Sequence, residues 1–167
     1  YTQVNSSAAS DVYKRQVLDG GLGNDTLLGG PGDDRIDSGQ GNDVLEGGPE
    51  NDELNDFQGN EIYILNAADL TGNDLVWDYN GSDLLAFADF GLDRVASVSQ
   101  VEGGHLRIDF TDGGSMTIIA HFANIGQAIE RLKVGDCSYR ISQDSAFVSG
   151  AIDEILSGCI IFQSGFE

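Results

Sequence analysis

From Gly20 to Asn55 a single aliphatic side chain recurs at every ninth residue, as Leu27, Ile36, Leu45 and Leu54. Each is the centre of a triplet (TLL, RID, VLE, ELN) in which an extended backbone turns the middle residue to one face and its neighbours to the other. The six residues between triplets are turn-formers: GGLGND, GGPGDD, SGQGND and GGPEND. A nine-residue period carrying one apolar position fits neither an amphipathic helix nor a simple hairpin. It predicts identical short strands stacked through tight turns, with the aliphatic residues aligned into a narrow core. No single unit buries its own apolar residue, so several must fold together.

An aspartate closes every turn, as Asp25, Asp34, Asp43 and Asp52. Stacking brings these acids to roughly 5 Å from one another, the spacing of paired strands, where like charges repel. Arg35 is the only basic residue between Arg15 and Arg94, so side-chain cations do not offset that repulsion. A hard cation with oxygen ligands does, and carboxylates with glycine-turn carbonyls are the ligands calcium accepts. Thiolate and imidazole ligands for zinc or copper are absent from this stretch. A Gly/Asp-rich disordered linker is the alternative, and it leaves the regular eighth position unexplained.

The pattern GGxGxDxUx resembles the RTX (repeat-in-toxin, haemolysin-type) calcium-binding family. The resemblance implies an all-β fold, a flattened parallel β-roll in which turns alternate between two edges and two repeats make one coil. Asp25 then pairs with Asp43 on one edge and Asp34 with Asp52 on the other. It also implies a ligand set of Gly20, Gly21, Gly23, Asp25, Gly29, Gly30, Gly32, Asp34, Gly39, Gly41, Asp43, Gly47, Gly48 and Asp52. Two departures stand out. Ser38 replaces a first-position glycine, and Glu50 occupies a fourth position where a left-handed backbone disfavours it. The next segment, DFQGNEIYI, carries Glu61 in place of Asp, so the array fades into a weaker site using Asp43 with Glu61. Upstream, Leu18 fits the matching core position of a preceding unit.

The organisation expected along the chain is a roll over 17–64, a β-rich capping region over 65–141 and a tail over 142–167. EIYIL is expected to continue or cap the roll. Three hairpins are predicted, about Asn80-Gly81, about 111–114 and about Gly135-Asp136. Phe122, Ile125 and Ile129 fall on one face of a short helix, and a second short helix is predicted over 152–156. Trp77, Phe87, Phe90, Phe110 and Phe122 are expected in the core. Residues 1–16 lack periodicity and resemble a translated sequencing-adaptor stretch; they are expected to be a non-native or disordered leader, with the native chain continuing upstream.

The net charge of −20 argues against nucleic acid and anionic membrane as partners. No apolar run reaches the length of a transmembrane helix. The family resemblance implies a secreted protein that meets calcium outside the cell, is exported by type I machinery reading the C-terminal tail, and follows an upstream catalytic or adhesive domain. A strand docking on the roll is the alternative for that tail. Cys137 and Cys159, the only cysteines, suit a disulfide in an exported protein, with free buried thiols as the alternative. Catalytic signatures are missing: there is no HExxH, no GxSxG and no P-loop, and His105 and His121 stand alone. An EF-hand is excluded by the absence of its D-x-D-x-D-G spacing.

Overall fold

The computed structural model describes residues 3–5, 15–121, 129–141 and 152–155. The triplets form strands β2 (Val17–Asp19), β3 (Thr26–Leu28), β4 (Arg35–Asp37), β5 (Val44–Glu46) and β6 (Glu53–Asn55). They alternate between two sheets, so that each strand pairs in parallel with the one two places on: β2 with β4, β3 with β5, β4 with β6. Six residues separate consecutive triplets, enough to cross from one sheet to the other. The result is the expected parallel roll, one coil per two repeats.

The roll runs on past the nonapeptides. Strand β7 (Ile62–Leu65) pairs with β5, β8 (Asn73–Trp77) with β6, and β9 (Leu84–Phe87) with β7, all in parallel. In this part of the roll the repeat along the chain lengthens from 18 residues, seen between Asp34 and Asp52, to 22 residues, seen between Asp52 and Asp74. Strands of four and five residues in place of three, and a 3₁₀ turn at Ala67–Asp69, take up the added length. EIYIL therefore continues the roll, as expected. The hairpin predicted at Asn80-Gly81 does not form, because β8 and β9 lie in different sheets. Six residues separate Trp77 from Leu84, the length of a repeat turn, and the Asn-Gly pair serves that turn instead of a two-residue reversal.

The two remaining hairpins are present and finish the sheets. Strand β11 (His105–Phe110) pairs antiparallel with β12 (Ser115–Ile118), and β10 (Val95–Val101) lies outside β11. Strand β13 (Arg131–Val134) pairs antiparallel with β14 (Cys137–Ile141). Strands β12 and β13 dock in parallel on β8 and β9, so each hairpin is a continuation of its sheet. The helix predicted over 152–156 is not seen: Ile152–Ile155 is strand β15, antiparallel to β14. That pairing agrees with the docking-strand alternative for this part of the tail. Gln3–Asn5 forms β1, parallel to β3. Phe122 and Ile125 lie outside the described residues, whereas Ile129 is buried.

The core is a single file. Leu18, Leu27, Ile36, Leu45, Leu54, Tyr63, Val76 and Leu85 are each the inward residue of their strand and are all buried. Leu18 takes the position expected of it, opposite Ile36. Full burial of one such aliphatic side chain is worth about 1.5–3 kcal/mol, so the file only accumulates stability coil by coil. Toward the C-terminal end the core widens. Phe87 and Phe110 are buried there, and Phe90 packs against both rings. Trp77 is half-buried at the end of β8. Cys137 is disulfide-bonded, and Cys159 lies outside the described residues.

Candidate metal centre

The turns stack into two ladders, one on each edge of the roll. On the first edge lie the turns ending in Asp25, Asp43, Glu61 and Asp83; on the second lie those ending in Asp34, Asp52 and Asp74. Backbone amides lock the ladders together. The amide of Asp25 donates to Oδ1 of Asp43 at 2.7 Å, and that of Asp34 to Oδ1 of Asp52 at 2.7 Å. The series continues with Asp52 to Asp74 at 3.0 Å and Glu61 to Asp83 at 2.8 Å. The aspartate pairs implied by the resemblance are thus adjacent, one pair on each edge.

One carboxylate oxygen per residue is used in this way, and the other faces inward. Oδ2 of Asp34, Asp43 and Asp52 is buried with no donor within reach. The first-position glycines make room for it. A Cβ on Gly47 would lie 2.5 Å from Oδ2 of Asp52, and one on Gly29 would lie 2.7 Å from Oδ2 of Asp34. Other turn glycines let successive coils close up. A Cβ on Gly41 would lie 1.9 Å from the carbonyl oxygen of Gly23, and one on Gly48 would lie 2.4 Å from that of Gly30. Gly20, Gly21, Gly23 and Gly39 belong to the first-edge turns with Gly41; Gly30 and Gly32 belong to the second with Gly29, Gly47 and Gly48.

Without a cation this arrangement is electrostatically poor. Burial pushes the carboxyl of Asp52 up to about 8 and that of Asp74 up to about 7. Asp34 and Asp43 are raised for the same reason, with further upward pressure from neighbouring acids. Buried carboxylates that lack a donor and face one another are unfavourable as ions unless a counter-charge joins them. The donor set is all oxygen, which suits a hard divalent cation and fits calcium.

Two features were missed from the sequence. Asp56 lies at the first position of its turn, and its carboxylate meets those of Asp43 and Glu61, with ligand oxygens all within 4.8 Å of one another. A second ladder runs outside the acids, built from the fifth turn position. Asn42 donates its amide to Oδ1 of Asn24 at 2.9 Å, Asn60 to Asn42 at 3.0 Å, and Ser82 to Asn60 at 3.0 Å. On the other edge Asn51 donates to Asp33 and Asn73 to Asn51. The signal is visible as an Asn or Asp before every closing acid except Asp83, which follows Ser82. These side chains cap amides that the open turns would otherwise leave to water. Asp37 stands apart from both ladders, paired with Arg35 on the surface.

Residues 19–54 and 39–69 match the family described as RTX calcium-binding nonapeptide repeat, in four copies. No curated protein matches the chain. Among the described residues no helix is long and apolar enough to cross a membrane. The sequence period, the parallel coils and the paired inward carboxylates all agree with the family match. Residues 19–69 are RTX calcium-binding nonapeptide repeats, folded as a parallel β-roll.

Proposed function

We propose that calcium is held between successive coils and that the roll closes only as these sites fill. On the first edge the ligands are Asp25 and Asp43 with carbonyls of Gly20, Gly21, Gly23, Gly39 and Gly41. On the second they are Asp34 and Asp52 with carbonyls of Gly29, Gly30, Gly32, Gly47 and Gly48. Asp43, Asp56 and Glu61 form a third group, stronger than the sequence suggested because Asp56 adds a carboxylate. The observation that carries this reading is the set of inward Oδ2 atoms on Asp34, Asp43 and Asp52, buried and without donors.

The same electrostatics supports a biological role. The chain carries a net charge of −20, and that self-repulsion opposes compaction wherever calcium is scarce. Extracellular calcium modules work in the ~10⁻⁴–10⁻³ M range, so the roll stays open inside a cell and closes outside it. Secretion through type I machinery in the open state is consistent with that order of events. The test is far-UV circular dichroism of the purified chain with millimolar calcium and then with excess EGTA. Loss of β signal on chelation is expected; an unchanged spectrum overturns the coupling.

A further inference from the structure

We propose that the coils beyond the nonapeptides hold a further calcium-class cation on side-chain carboxylates, those of Glu61, Asp78 and Asp83. This extends the calcium reading of the repeats to a site with different ligand chemistry. In the turns at 20–25 and 38–43 the second position is a left-handed glycine, Gly21 at φ 84° and Gly39 at φ 97°. The equivalent residues two and three coils on are Phe57 and Tyr79, neither of which has positive φ. Their rings stack outside the turn, with centroids 5.5 Å apart. The first position changes with them, from Gly20 and Ser38 to Asp56 and Asp78. These turns lose the glycine-shaped backbone and gain a carboxylate.

The carboxylates converge. Oxygens of Glu61, Asp78 and Asp83 lie within 4.8 Å of one another, and each residue is at most 3 % exposed. Asp78 Oδ2 accepts the Tyr63 hydroxyl at 2.8 Å, and Asp83 Oδ1 accepts the Glu61 amide at 2.8 Å. These bonds aim the opposite oxygens into the cluster. Asp78 Oδ1, Asp83 Oδ2 and both oxygens of Glu61 then have no donor. Glu61 is the most telling, since its carboxyl is only 1 % exposed and its polar neighbours are other acids, Asp56 and Asp83 among them. Glycines make the space: a Cβ on Gly59 would lie 2.1 Å from Glu61 Oε1, and one on Gly81 would lie 2.6 Å from Asp83 Oδ1. None of the described ion pairs reaches these acids.

Several carboxylate oxygens and no nitrogen or sulfur make a donor set that suits a hard divalent cation of the calcium class. Glu61 also belongs to the group with Asp43 and Asp56, so it bridges this site to the one before it.

Calorimetric titration of the whole chain with calcium, comparing wild type with Asp83→Asn and with Asp78→Asn, tests the proposal. Both amides keep an oxygen to accept the Glu61 amide or the Tyr63 hydroxyl, so the fold is retained. Each variant is expected to take up one ion fewer per chain while the remaining sites titrate as before. Each is also expected to reach the wild-type far-UV circular dichroism in saturating calcium, because the backbone and hydroxyl bonds are kept. Wild-type stoichiometry and affinity in both variants overturns this site and leaves the repeat sites standing. Failure of both variants to reach the wild-type circular dichroism in saturating calcium overturns it too, since the acids then serve structure and not a cation. No uptake by wild type sinks this proposal together with the reading of the repeats.

Discussion

The amide of Asp34 donates to Oδ1 of Asp52, 18 residues on and one coil away, at 2.7 Å. That single bond fixes one carboxylate oxygen of Asp52 in the backbone ladder and turns the other, buried and without a donor, into the roll. The same geometry relates Asp25 to Asp43. Structure and charge are thereby separable in these residues, because an amide side chain can keep the hydrogen bond while discarding the charge.

Asp52→Asn is therefore expected to weaken calcium binding about tenfold or more, equivalent to ~1.4 kcal/mol, with little change in the calcium-free state. Asp37→Asn, which alters only a surface pair with Arg35, is expected to leave affinity within about twofold, as exposed ion pairs contribute little. Calorimetric titration of the two variants side by side checks the contrast. Equal effects would show that overall charge, not position in the ladder, governs uptake.

Acidity is expected to act oppositely on the two states. The carboxyl groups of Asp52 and Asp74 are raised to about 8 and about 7 in the fold, from an ordinary value of 3.8, because they are buried. A carboxyl raised on folding favours the fold while protonated, so its contribution is complete below about 4 and lost as pH climbs through about 8. Chelator-stripped protein should then retain more β signal at pH 5 than at pH 8. Calcium needs the ionised groups, so the added stability it brings should grow over the same interval. Far-UV circular dichroism at the two pH values, with and without calcium, reads both signs.

Glu50 has φ 83°, a left-handed conformation at the turn position where Gly23, Gly32 and Gly41 stand in other repeats. Glu50→Gly is expected to stabilise the folded protein by up to about 1 kcal/mol through relief of that strain, offset by the freedom glycine regains when unfolded. Denaturant unfolding in saturating calcium measures it.

Leu45 is fully buried at the centre of the single-file core. Leu45→Ala is expected to cost about 2–5 kcal/mol. Because neighbouring coils share that file, the loss should raise the calcium concentration needed to fold, as well as lower the melting temperature. A calcium titration of circular dichroism on the variant detects the shift.

Legibility followed the period. The nine-residue spacing of Leu27, Ile36, Leu45 and Leu54 makes a stack of identical turns readable, while the alternating edges and the Asp25–Asp43 and Asp34–Asp52 pairs are what the family resemblance implies. Beyond Leu65 the repeat along the chain lengthens to 22 residues, and the pattern no longer announces itself. The segment DFQGNE is legible as a fading unit, but in DYNGSD, which aligns with SGQGND turn for turn, an Asp in first position and an aromatic in second disguise the turn. Asn80-Gly81 was consequently read as a hairpin, since local turn propensity is the stronger signal when the partner strand is not recognised. Strand Ile152–Ile155 was read as helix for a related reason: IDEI is too short for periodicity to decide, and its pairing with Cys137–Ile141 is a tertiary fact.

The most direct measurement is amide hydrogen exchange of the purified chain with and without millimolar calcium, read at Asp25, Asp34 and Asp52, whose amides donate to the next acid in the ladder. Strong protection with calcium and rapid exchange after chelation is the result expected if metal closes the roll. Equal protection in both conditions would contradict it.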